Sequence, residues 1–220
     1  MTSKTPISEL EKICKQAQEA KLSLQKADSN KKNEALKYSA EAINASREKL
    51  LDANNQDMEE ASKNNLQNSF VDRLELNSGR IDSMISGIDK IINLEDPIGN
   101  KTKPHISPSG FEVSKMRVAL GVVGIIYESR PNVTADASAL CLKSGNASIL
   151  RGGSEASKSN RVIESCMQDG LERAGLSKLA IQLIKNQDRK LVAQMIKMEN
   201  YIDLLIPRGG KSLIKIVADE

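Results

Sequence analysis

The chain has 220 residues, with 32 Lys and Arg against 29 Asp and Glu and a formal net charge of +3, enough length for one large or two small domains around a substantial core. A dispersed excess of that size, with 2% aromatic residues, gives neither the basic stripe nor the stacking rings of a polynucleotide binder, so no nucleic-acid partner is expected. No apolar run reaches the roughly eighteen residues of a membrane span, and the opening MTSKTPISELEK lacks an apolar signal core, which predicts a cytoplasmic protein with no membrane partner.

From about Ile7 to Lys63 the sequence is rich in Ala, Leu, Lys, Glu and Gln and free of proline and glycine, which predicts two or three helices. Leu10, Ile13, Ala17 and Ala20 share one face, and Ala40, Ala42, Ile43, Leu50 and Leu51 mark another, so these helices pack on something larger. Asn64 to Ser69 is a polar break. A longer helix then buries Met84, Ile88, Ile91 and Ile92 and ends near Pro97 and Gly99. Asn100 to Gly110 reads as a loop, with the single histidine, His105, in solvent. One histidine and three scattered cysteines, Cys14, Cys141 and Cys166, are too few for a metal site and carry no disulfide frame in a reducing compartment, so all three thiols are read as core residues.

Phe111 to Val118, FEVSKMRV, alternates as a strand with one wet face does. The apolar run Val118 to Ile126 suits a strand covered on both sides. Tyr127-Glu128-Ser129-Arg130-Pro131-Asn132 makes a polar turn, with Pro131 set for an early helical position. A helix follows over Ala135 to Leu142, Gly145-Asn146 stops it, and Ala147 to Leu150 forms the next strand. Arg151-Gly152-Gly153-Ser154 leads into a helix from Glu155 to Ala174, with Val162, Ile163, Cys166 and Met167 inward. A third strand is expected at Leu179 to Ile184, a helix at Asp188 to Met198 and a fourth strand at Ile202 to Ile206. Pro207-Arg208-Gly209-Gly210-Lys211-Ser212 opens the last helix. Such alternation predicts an α/β fold, a Rossmann-like parallel sheet with helices on both faces and an N-terminal helical segment. The boundary is placed at residues 1–110 for the helical segment and 111–220 for the nucleotide-binding portion.

In that topology a ligand lies at the carboxyl ends of the strands, where all the polar turns fall. Arg151 to Ser154 and Arg208 to Lys211 each join a strand to a helix with glycines and a cation, and unpaired amides at a helix start suit a phosphate. Neither turn matches GxGxxG or a phosphate loop, so on spacing alone a structural turn and an anion site both stand. The turn at Tyr127 to Thr134 is the candidate for substrate contact, or simply a capped helix start.

The words GVVGIIYESRPNVTADASALCLKSGNASILRGGSEASKSN, YIDLLIPRGGKSLI and VDRLELNSGRID closely resemble gamma-glutamyl phosphate reductase, a branch of the aldehyde dehydrogenase superfamily. The resemblance is strong from Phe111 onward and weaker in the first helices. It implies NADPH-dependent reduction of L-glutamyl 5-phosphate, an acyl phosphate, to L-glutamate 5-semialdehyde in proline biosynthesis. It also implies that the catalytic domain, with the nucleophilic cysteine, is absent from this chain and lies beyond Glu220, so that these residues alone would be inactive. By the same resemblance, Arg151, Gly152, Gly153 and Ser154 hold the cofactor ribose, and Arg208, Gly209, Gly210 and Lys211 lie near the pyrophosphate.

An arginine fork beside a serine suits a 2′-phosphate, hence NADP over NAD. Glu155, which would suit a free ribose hydroxyl, is read as a charge partner of its own helix N-terminus. The superfamily's oxyanion-holding asparagine falls on Glu128, which would repel an oxyanion. Asn132 or Ser129 is then the better donor, and Arg130 could meet the acyl phosphate or a substrate carboxylate. The strand at Phe111 to Val118 corresponds to an oligomerisation element, implying a homo-oligomer, and contact with glutamate 5-kinase is a further implied partnership. Two other readings stay open: a non-catalytic nucleotide-binding or assembly module, and an ordinary dehydrogenase of free aldehydes.

Overall fold

The computed structural model describes residues 8–64, 68–188 and 190–218. The N-terminal part forms α1 (Glu9–Lys26), α2 (Ser29–Ala45), α3 (Arg47–Lys63), α4 (Asn68–Leu74) and α5 (Ser78–Ile92). The starts of α1, α2 and α5 are fixed by short polar caps: Ser8, Asp28 and Asn77 accept backbone N–H bonds from Glu11, Lys31 and Arg80. Part of the polar break at Asn64 to Ser69 lies outside the described residues.

The sheet that positions the site contains β3 (Val122–Tyr127), β4 (Ala147–Arg151), β5 (Ile181–Leu183) and β6 (Leu204–Arg208), all parallel in the order β5-β4-β3-β6. Helices α6 (Asn132–Lys143), α7 (Ser157–Arg173), α8 (Lys190–Ile196) and α9 (Lys211–Ala218) follow its strands. Every residue of β3 and β4 is buried, as the continuous apolar runs require. The α/β class with a parallel sheet is as expected.

Several boundaries differ from the sequence reading. The apolar run from Val118 enters the sheet only at Val122, while Val118 and Leu120 stay exposed. Phe111 to Val118 does not make one long strand. Only Glu112–Val113 (β2) pairs, antiparallel with His105–Ile106 (β1), inside the segment expected to be a loop, and Lys101 and Met116 add one isolated bridge. The helix expected from Glu155 begins as a 3-10 turn, Ser154–Ala156, and a second 3-10 turn, Lys178–Ala180, replaces the start of the third strand.

One contiguous core runs from Leu10 to Leu213 and joins the helical segment to the sheet. Helix α2 lies close against α7, where the backbone approach leaves no room for a side chain at Gly170: a Cβ there would be 2.1 Å from Ser39 Oγ and 2.5 Å from the Ala35 carbonyl. Asn54 of α3 bonds both the Leu74 carbonyl at 2.8 Å and the Leu76 amide at 2.7 Å, tying down the α4–α5 link. Asp57, one turn on, accepts the Lys158 and Ser159 amides at 3.1 and 2.8 Å and the Ser159 hydroxyl at 2.7 Å. The start of α7, and with it the turn after β4, is therefore held by a carboxylate from α3. Two buried lysines close the other end of the helical layer: Lys32 Nζ meets the partly covered Asp96 at 2.5 Å, while Lys143 Nζ donates to Asn33 Oδ1 and the Ile92 carbonyl at 2.7 and 2.8 Å.

Candidate functional site

Strand register decides whether the polar turns meet. Ile126 of β3 is opposite Arg151 of β4, and Tyr127 is opposite Arg208 of β6. The turns after all three strands therefore share one rim, at the carboxyl ends, with the turn after β3 between the other two.

That middle turn is tightly folded. Ser129 is in the left-handed region at φ 48°, and the Arg130 amide bonds back to the Glu128 carbonyl at 2.6 Å. A non-glycine residue there needs support, and Glu155 supplies it: its Oε1 accepts both the Ser129 amide and hydroxyl at 2.7 Å. Glu155, in the first turn after β4, thus links the turns after β3 and β4. The Ser129 hydroxyl, 1% exposed with its residue and committed to Glu155, points behind the rim. Below the turn, the Tyr127 hydroxyl, Thr134 hydroxyl and Asn160 side chain form a buried chain of 2.7 and 2.9 Å bonds. Since Thr134 gives its one proton to Asn160 Oδ1, Tyr127 is the donor to Thr134. Burial raises the Tyr127 phenol well above the ordinary range, so it stays protonated.

On one side, the Arg151 guanidinium donates to the Gly152 carbonyl and, at 3.1 Å, to the Gln187 carbonyl. With 7% of the residue exposed, it pins the turn after β4 to the segment after β5. Gly152 is required by packing: a Cβ would fall 2.3 Å from Asn160 Nδ2 and 3.1 Å from the Tyr127 ring. Gly153 is partly covered, and Ser154 is exposed at the rim.

On the other side, Arg208, Gly209, Gly210 and Lys211 are exposed. The Gly210 amide, at the start of α9, donates to Glu128 Oε2 at 3.0 Å. The residue expected to repel an oxyanion is itself the anion seated on that amide. A carboxylate oxygen there, with Arg208 and Lys211 beside it, indicates that the donor set suits a phosphate oxygen.

Outward from the middle turn lies a cleft of about 330 Å³ between it and the α4–α5 segment. Arg73, Arg80, Arg130, Asn132 and Asp136 are among its lining residues. Asn132 Nδ2 donates to Asp136 Oδ2 at 2.9 Å, so Asn132 is held at the wall with its amide committed. Burial raises the Asp136 carboxyl above its ordinary value, against the bond from Asn132 and the charge of Arg208. Sequence reading identified Arg130 and Asn132 but missed Asp136 and the arginines of α4 and α5. Asp136 was hidden in a helix of small residues, although its spacing of four from Asn132 was a signal.

The three cysteines are buried. Burial pushes the Cys141 thiol up to about 12 and Cys14 to about 11, and raises Cys166, which suits core residues and disfavours a thiolate. Among the described residues, no three His, Cys, Asp or Glu side chains are grouped to hold a metal ion, and no helix is long and apolar enough to cross a membrane.

The aldehyde dehydrogenase family model matches residues 3–219. Among solved structures, gamma-glutamyl phosphate reductase from Thermotoga maritima is 42% identical with a TM-score of 0.93, over 96% of this chain and 51% of that one. The enzyme of the same name from Saccharomyces cerevisiae is 30% identical with a TM-score of 0.88, over 97% and 54%. A NAD-dependent benzaldehyde dehydrogenase from Corynebacterium glutamicum shares the fold alone, at 16% identity and a TM-score of 0.75 over 97% of this chain and 43% of that one. The chain thus spans about half the length of the reductases it matches. Its parallel sheet, helical N-terminal layer and family match together establish that the chain belongs to the aldehyde dehydrogenase family.

Proposed function

We propose that these residues form the dinucleotide-binding portion of a gamma-glutamyl phosphate reductase, which converts L-glutamyl 5-phosphate and NADPH to L-glutamate 5-semialdehyde, phosphate and NADP in proline biosynthesis. The observation that carries the proposal is the 42% identity to a solved reductase over 96% of this chain, and the shared rim of the three polar turns agrees with it. When bound, the nicotinamide supplies hydride. The chain's own residues would bind and orient the dinucleotide: Ser154 and the amides after β4 on the ribose side, and Gly210 N–H, Arg208 and Lys211 on the phosphate side. Binding a pyrophosphate at Gly210 requires Glu128 to give up that amide. Arg151 acts from beneath, by holding the turn and adding positive charge to it. Since no thiol here is poised for attack, these 220 residues are expected to bind cofactor without turning over substrate.

The same reading carries a homo-oligomer built on the exposed β1–β2 region, contact with glutamate 5-kinase, and a cytoplasmic location. Titration with NADPH, followed by nicotinamide fluorescence, tests its cofactor half. Saturable binding, tighter than for NADH and weakened by substituting Ser154→Ala or Lys211→Ala, is the expected result. No saturable binding of NADPH, NADP or NADH would overturn it and leave the reading of a structural or assembly module. Tighter NADH binding would favour an ordinary NAD-linked dehydrogenase.

A further inference from the structure

A second cavity, of about 420 Å³, falls within the roughly 300–1,000 Å³ usual for small-ligand sites. Ala119 and Gly145 in its wall sit just before β3 and β4, so it lies at the amino ends of those strands, away from the rim where the polar turns meet. Backbone bonds build its outer wall: the Arg117 amide donates to the Asn100 carbonyl and the Gly99 amide to the Arg117 carbonyl, both at 2.9 Å. Gly145, left-handed at φ 70° after α6, keeps the interior open. A Cβ there would stand 3.4 Å from Ala119 Cβ, 3.7 Å from Ile98 Cγ1 and 3.9 Å from the Leu24 carbonyl, all wall residues.

Positive charge around this cavity is in excess. Lys32 and Arg117 are among its lining residues, and no acid is among those described. Lys32 is 1% exposed and shares Asp96 with the Ile98 amide, which takes the other carboxylate oxygen at 3.0 Å. Both Asp96 oxygens are therefore committed. Lys143, 3% exposed just behind, bonds only the neutral acceptors Asn33 Oδ1 and the Ile92 carbonyl. Burial, opposed by Asp96, and the charge of Lys32 hold the Lys143 ammonium below its ordinary value. The Arg117 guanidinium is exposed and has no hydrogen bond or ion pair among the described residues. Two buried ammonium groups and one guanidinium thus face a single carboxylate, an imbalance that an anion would relieve. The rest of the wall is apolar, and the Gly99 and Arg117 amides are already taken, so a phosphate would find too few donors. We propose that this cavity binds an aliphatic monocarboxylate, with Lys32 and Arg117 taking the carboxylate and Leu24, Ile98, Met116, Val118 and Ala119 enclosing the hydrocarbon tail. The inference does not depend on the nucleotide reading.

The test is titration of the nitrogen-15-labelled 220-residue chain with octanoate, octanol, which lacks the charge, and acetate, which lacks the tail. Octanoate is expected to shift the amides of Gly99, Ala119 and Gly145 saturably. It should bind at least about tenfold more tightly than either of the others, the loss typical of one charge-assisted contact. Arg117→Gln, at an exposed position, should weaken octanoate about tenfold and leave octanol unchanged. Ala119→Phe, which fills the cavity without touching a charge, should abolish octanoate binding. The amide spectrum of each variant verifies that its fold is intact. No saturable shift at those three amides, octanol binding as tightly as octanoate, or an Arg117→Gln variant indistinguishable from the parent would overturn the proposal. If the same amides shift with protein concentration alone and octanoate does not compete, the cavity belongs to a contact between copies and the proposal falls.

Discussion

At the rim, single atoms decide the shape of the site. A methyl group on Gly152 would meet Asn160 and the Tyr127 ring, neither of which can retreat without breaking the buried bonds to Thr134. Gly152→Ala is therefore expected to cost about 1–3 kcal/mol in urea unfolding, the usual range for overpacking, and to loosen nucleotide binding by displacing the turn. The thiols give a second prediction. A folded pKa of about 12 for Cys141, against roughly 8.5 in an unfolded chain, means that the folded state keeps a proton which the unfolded state releases above that value. Its contribution to stability is full below about pH 8.5 and is lost as pH rises toward 12. Iodoacetamide at pH 9 should accordingly label Cys141 only as fast as the chain opens, and labelling at the rate of free cysteine would contradict this. The sequence showed which turns carry polar chemistry. It could not show that Glu155 reaches Ser129 or that Glu128 reaches Gly210, because those pairs are 26 and 82 residues apart and only the strand register brings them together.

The elements are joined by close approaches and by the charge pair of buried Lys32 with Asp96. Gly170→Ala would place a methyl against α2, where the Ala35 carbonyl and the Ser39 amide, 2.5 and 2.6 Å away, cannot yield even if the Ser39 hydroxyl rotates aside. The expected loss is about 3 kcal/mol, at the upper end of the overpacking range, visible as an earlier urea midpoint with an unchanged slope. Lys32 and Asp96 test the charge pair. Burial by itself would raise the Asp96 carboxyl, yet the Lys32 bond, the Ile98 amide and the charges of Lys32 and Lys143 outweigh it and leave the group below its usual value. A depressed folded pKa contributes stability that is present above the unfolded value near 4 and is lost as pH falls through the folded one. Asp96→Asn should cost about 3 kcal/mol at pH 7, since it leaves Lys32 buried without its partner. The cost should shrink in unfolding curves measured below pH 4. Helices were the most legible elements because their apolar stripes have a period of their own, as Leu10, Ala17 and Leu24 of α1 illustrate. Strand ends were less legible, since Val118 to Ile126 is uniformly apolar and only the pairing with β4 and β6 shows where the ladder begins.

At the scale of the molecule, the region around β1 and β2 leaves an apolar surface open. Ile106, Phe111, Met116 and Val118 are all more than half exposed around β1 and β2, a run that soluble surfaces ordinarily cover. Sedimentation of the 220-residue chain is expected to show self-association, and Phe111→Lys with Val118→Lys should reduce it; a monomer at high micromolar concentration would argue against that surface as a contact between copies. The strand order carries a kinetic meaning as well. Bonds between the starts of β3 and β4 span 25 residues, whereas Val122 reaches Asp203, just before β6, across 81. Closing the longer loop costs more entropy before any ladder bond compensates it. Refolding should therefore protect the amides of β4 before those of β6 in pulsed hydrogen exchange. The phosphate-side edge of the crevice would then be the last part of the protein to come into being.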